Sequence, residues 1–89
     1  MTKKIEFSEH ALGRLPERGV TRDEVETTIN AGERLSAKSH RLAFRKNFPF
    51  AAKWKNRYYE IKQILVIAVE EDNVLVVVTV YSFYFGGTS

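Results

Sequence analysis

Two runs in the last third of the chain constrain the fold more than any other feature. Ile64 to Val69 is continuously apolar, and Val74 to Phe85 is built almost entirely of β-branched and aromatic residues. Both are too short to cross a bilayer, and Glu70, Glu71 and Asp72 interrupt them. They read as neighbouring strands covered on one or both faces, with Glu71, Asp72 and Asn73 supplying the hairpin between them. A sheet of this composition needs a cover.

The cover is encoded ahead of the strands. Ser8 suits the N-cap of a helix from Glu9 to Leu15 or Arg18, and Gly19 can close it in the left-handed conformation. Pro16 lacks an amide hydrogen and disfavours helical geometry at Leu15, so a kink or an end is expected there. Thr21 and Glu24 form a capping box for a second helix, Val20 can staple to Val25, and Gly32 follows as the C-cap after Asn30 or Ala31. Arg41 to Lys46 and Lys53 to Lys62 carry weaker strand signals, separated by a break at Asn47 to Pro49. The expected fold is α+β: two N-terminal helices packed on a four-stranded antiparallel meander, with Ile5 to Phe7 as a short extra edge strand. Eighty-nine residues bury one core, so a single domain over residues 1–89 is expected.

Charge is distributed unevenly. Residues 34–62 hold nine basic side chains and one acidic, whereas residues 63–89 hold three acidic and no basic. Within the basic stretch, Arg41, Arg45, Lys53, Lys55 and Arg57 alternate with aromatic residues such as Trp54, a composition that can neutralise phosphates and stack bases. The same alternation also describes ordinary strands, aromatics buried and charges solvated. The chain has no cysteine, its two histidines lie thirty residues apart, and no glycine-rich phosphate loop or serine-hydrolase motif is present. No metal and no cofactor is therefore expected. The N-terminus has no apolar stretch of signal-peptide length, and the expectation is a soluble cytoplasmic protein with no membrane partner.

One stretch can carry chemistry. At helical spacing His10, Arg14, Glu17 and Arg18 fall within an arc of roughly 100°, while Ala11, Leu12 and Leu15 fill the adjoining arc that faces a core. One side packs, and the next can bind an anion.

The pattern Ser8-x-His10-Ala11-x-x-Arg14-x-x-Glu17-Arg18-Gly19-Val20-Thr21-x-x-Glu24-Val25, followed by a sheet ending in Val78-Thr79-Val80-Tyr81, resembles the bacterial domain-of-unknown-function family 4258. That family looks related to the RelE-like toxins and to small ribonuclease folds that cut RNA without a metal. The resemblance implies an RNA-cleaving or RNA-binding toxin module paired with an antitoxin.

Metal-free RNA cleavage needs a base for the 2′-hydroxyl, an acid for the leaving 5′-oxygen and cations for the transition state. Histidine ordinarily titrates near neutrality, which suits His10, and Arg14 and Arg18 offer fork-shaped donors to a phosphate. Thr79 and Tyr81 share one face of the last strand, where their hydroxyls can orient the imidazole or the phosphate. Each residue also has a structural reading. His10 can fix the first helix to the sheet, Arg14 can pair with Glu17, Arg18 with Asp23 or Glu24, and Thr79 and Tyr81 can be packing residues. Two classes stay open: a toxin-type ribonuclease, and a noncatalytic module that binds RNA through residues 41–59 or a protein through Phe83, Tyr84 and Phe85. The aromatic last strand can also pair with an identical copy to form a homodimer.

Overall fold

The computed structural model describes residues 4–87. The single-domain expectation over 1–89 thus extends at both ends to positions outside the described residues. The chain runs β1 (Lys4–Phe7), α1 (Glu9–Arg18), α2 (Arg22–Ala31), β2 (Glu33–Ser36), β3 (Arg41–Trp54), β4 (Arg57–Glu71) and β5 (Val74–Phe85). The strands form one sheet in the order β1-β5-β4-β3-β2. All neighbours are antiparallel except β1 and β5, which pair in parallel from Lys4–Val74 to Phe7–Val77. The sheet is therefore five-stranded and mixed, not a four-stranded antiparallel meander.

The strand assignments change for local reasons. Lys55 and Asn56 both adopt positive φ and reverse the chain, so Lys53 to Lys62 is not one strand but is divided between the end of β3 at Trp54 and the start of β4 at Arg57. Asn47 to Pro49 does not break β3: β2 reaches only to Arg45, so beyond it β3 is an outer strand, where proline is tolerated. A bulge follows between Pro49 and Ala52, with Ala51 at φ 47°. The short strand β2 was not foreseen. It is held by pairing with β3 and by Gly32, whose extended backbone passes so close to the Thr28 and Arg45 carbonyls that a Cβ would lie 2.4 and 2.6 Å from their oxygens. Gly32 is needed for that approach and not for a left-handed cap.

Both helices lie on one face of the sheet, and the core forms there. Ala11, Leu15, Val20 and Val25 meet Phe44, Ile64, Val66, Ala68, Leu75, Val77 and Val80. The Thr21–Glu24 capping box forms as expected, with Thr21 N donating to Glu24 Oε1 at 3.0 Å and Glu24 N to Thr21 Oγ1 at 3.2 Å. Lys62 rises into the same layer with its side chain only 7 % exposed and donates to Glu24 at 2.7 Å and to the Gly19 carbonyl at 2.9 Å. One carboxylate therefore caps α2 and also holds the sheet. No helix among the described residues is long and apolar enough to cross a membrane.

Candidate active site

Helix α1 runs alongside β5 because both of its ends are tied to that strand. At the N-terminus, Ser8 accepts from Ala11 N at 3.1 Å as the cap, donates its amide to Val77 O at 3.0 Å and its hydroxyl to Val78 O at 3.4 Å. At the C-terminus, the Arg18 carbonyl accepts from both Ser82 Oγ and Tyr84 Oη at 2.7 Å. Gly19 then turns left-handed at φ 69°, and Val20 N closes on Leu15 O at 2.9 Å. These bonds explain why α1 continues past Pro16 to Arg18 instead of ending at Leu15: contacts with the sheet hold the last turn that proline weakens. Glu17 and Arg18 keep their helical places.

A bulge in β5 sets the other wall. The register steps between Ile67–Thr79 and Ala68–Val77, which leaves Val78 as the extra residue, its carbonyl taken by Ser8. Beyond the bulge Thr79 and Tyr81 turn to the face away from the helices, opposite Ile67 and Leu65. β1 covers β5 only to Val77, so the stripe on α1 can reach round the strand edge to this face.

His10, Arg41, Val78, Thr79 and Tyr81 line one concavity of about 290 Å³. An adjoining hollow of about 330 Å³ continues past Arg41, Thr79 and Tyr81 to the turn around Lys38 and Ser39. Ser39 and His40 both have positive φ, and Arg41 N donates back to Lys38 O at 3.2 Å, so this turn delivers Arg41 to the site. His40 is thus a turn residue and not part of a strand. From the helix side, Arg14 Nε donates to His10 Nε2 at 3.4 Å while its Nη1 donates to Glu17. The Arg18 guanidinium lies 5.7 Å from the Tyr81 ring centre, and its Nε is buried without a hydrogen-bond partner. Arg18 does not pair with Asp23 or Glu24; the buried partner of Glu24 is Lys62. Arg14, Arg18 and Arg41 thus lie around the site, and Arg14 is paired with Glu17.

The other basic residues do not form one surface. Arg45 is paired with Glu33 at 2.6 Å. Trp54 stacks on Tyr84 at 5.1 Å and lies against Gly19, where it seals the α1–α2 junction instead of offering an open ring. Lys53, Lys55 and Arg57 sit at the β3–β4 hairpin tip, with Lys55 over Trp54 and Arg57 over Tyr59. At about 3.3 Å per residue that tip is roughly 40 Å from Arg41 along the strand. Arg41, grouped by sequence with these residues, lies apart from the hairpin tip and lines the His10 concavity. Sequence gave no signal for this, because the turn before it has no glycine or proline to mark it.

Burial raises the Tyr84 phenol above its ordinary pKa, with Glu24 adding to the effect and Ser82 opposing it. Tyr84 therefore stays a neutral hydrogen-bond donor on the helix side. Among the described residues, no group of three or more His, Cys, Asp or Glu side chains converges to hold a metal.

No curated protein and no solved structure matches the chain. Residues 7–82 match the family described as domain of unknown function (DUF4258), a span that includes α1, β5 through Ser82 and every residue of the His10 concavity. The chain belongs to that family.

Proposed function

We propose that the chain is a toxin-type endoribonuclease that cuts RNA by general acid–base chemistry and needs no metal for the reaction. The observation that carries this reading is the meeting of His10 with Thr79, Tyr81 and Arg41, groups drawn from three distant parts of the chain, in one concavity. His10 takes the proton of a 2′-hydroxyl, and the 2′-oxygen attacks the adjacent phosphorus. The bond to the 5′-oxygen breaks, and that oxygen takes a proton from the Tyr81 phenol. Water returns the proton from the imidazolium to the phenolate. The products are a 2′,3′-cyclic phosphate and a free 5′-hydroxyl. Arg18 and Arg41 neutralise the transferring phosphate, and Thr79 orients it. The Arg14–His10 contact is long at 3.4 Å, so a substrate hydroxyl can replace it. The resemblance of family 4258 to the RelE-like toxins points to the same class and would add a cognate antitoxin as partner.

The test compares wild type and His10→Ala on total cellular RNA in EDTA, reading fragment ends for 2′,3′-cyclic phosphate. Cleavage is expected to fall about 10²- to 10⁴-fold in the variant while its melting temperature stays unchanged. Absence of cleavage by a folded wild type sinks the catalytic reading. A noncatalytic binding module would then take its place, a reading favoured by the exposed rings of Tyr81, Phe83 and Phe85.

A further inference from the structure

The face of the sheet opposite the helices carries a row of rings of which the proposed reaction uses only Tyr81. Along β5, Ser82 and Tyr84 point to the helix side, where both bond the Arg18 carbonyl. Tyr81, Phe83 and Phe85 alternate with them and point the other way, 39 %, 47 % and 41 % exposed. In a strand, alternate residues stand about 6.8 Å apart. That is twice the roughly 3.4 Å repeat of stacked bases, so the strand repeat matches the spacing of bases stacked alternately with rings. A parallel polar row lies two strands away on β3. Arg45, Leu65 and Tyr81 are abreast, as are Asn47, Gln63 and Phe83. Gln63 Nε2 donates to Asn47 Oδ1 at 2.8 Å, and the pair presents amide groups on the same face. Arg41 begins the β3 row and also lines the His10 concavity. The row of rings starts at that concavity too, with Tyr81.

We infer that this face is a stacking platform for unpaired RNA, which seats two or three nucleotides on Tyr81, Phe83 and Phe85 next to the phosphate held at His10. The inference rests on the ribonuclease reading for its direction and adds the substrate class: single-stranded RNA with an accessible run of bases beside the cut. A duplex is a poor fit, because its bases are already stacked on one another and cannot enter the gaps between rings. Arg41 at the start of the β3 row complements the phosphates, and the rings accept any base, so affinity without strong sequence preference is expected.

The platform is tested by fluorescence anisotropy with a short labelled 2′-O-methyl oligouridine, which lacks the attacking hydroxyl and cannot be cut. Phe83→Ser and Phe85→Ser are each expected to weaken binding about tenfold at unchanged melting temperature, and a duplex of matched length is expected to bind at least about tenfold more weakly than the single strand. Equal binding by wild type and both Phe variants, or equal binding of duplex and single strand, overturns the proposal. So does a dimer in sedimentation equilibrium that Phe83→Ser dissociates and that the oligouridine leaves intact, since the face would then belong to a second copy. The two readings fail separately. Ring-dependent binding without cleavage of natural RNA keeps the platform and removes the catalysis, whereas cleavage with ring-independent binding does the reverse.

Discussion

The two faces of β5 are chemically alike and physically opposite. On the helix side, Ser82 and Tyr84 spend their hydroxyls on the Arg18 carbonyl, and Lys62 beside them spends its ammonium on Glu24 and Gly19. On the other side the two phenylalanines are exposed, and Thr79 and Tyr81 meet α1 only across a concavity, at His10 and Arg18. A hydroxyl or cation on the first face is bound by the fold, whereas one on the second is available to a ligand. Residue type alone does not separate these roles; position relative to the covering layer does.

That contrast can be broken at both faces. The largest effect on stability is expected at Lys62→Ala, which strands the Gly19 carbonyl and leaves Glu24 without its partner, at a cost of about 3 kcal/mol by denaturant titration. Retention of wild-type stability would mean that the ion pair holds nothing. Gly32→Ala should cost about 2 kcal/mol, since the new methyl meets two backbone carbonyl oxygens that cannot turn aside. Tyr84→Phe is expected to cost about 1 kcal/mol near neutral pH and to flatten the alkaline limb of stability. The sign follows from the raised phenol. Its contribution is complete below the ordinary tyrosine pKa and is lost as pH rises through the folded value, because the unfolded chain gives up that proton first. An unchanged alkaline limb in the variant would exclude Tyr84 as the cause. The smallest effect belongs to the open face: Phe83→Ser should change stability by no more than about 0.5 kcal/mol, and a larger loss would make the ring part of the core.

Much of this arrangement was legible in the residues, and the failures share a cause. Local signals were sufficient for α2, where the Thr21–Glu24 box closes within four residues, and for the turn at Asp72–Asn73, both at positive φ. The α+β class and the edge strand near Ile5 also follow from local pattern, although the parallel direction of β1 does not. Pro16 misled because its cost is offset by Ser82 and Tyr84, more than sixty residues away. Lys62 reads as one more cation in a basic stretch, and only the alternation of β4 with the helices above it shows that the side chain is buried. In the candidate site, the helical spacing of His10, Arg14 and Arg18 was visible at once, and so was the shared face of Thr79 and Tyr81. What brings them together, the bulge at Val78 and the turn that carries Arg41, depends on pairings that no short window contains.

The parallel pairing of β1 with β5 has a consequence for when the molecule works. Lys4 to Phe7 must wait for Val74 to Val77, and Ser8 for the Val78 carbonyl, a separation of seventy residues. Contacts of such long range form late, because the entropy of closing so large a loop must be met before any of them stabilises the chain. During synthesis the helices and the β3–β4 hairpin can therefore assemble first while the His10 corner is still open. In a growing chain His10 emerges long before Thr79 and Tyr81, and the concavity that they line exists only once the last strand has arrived.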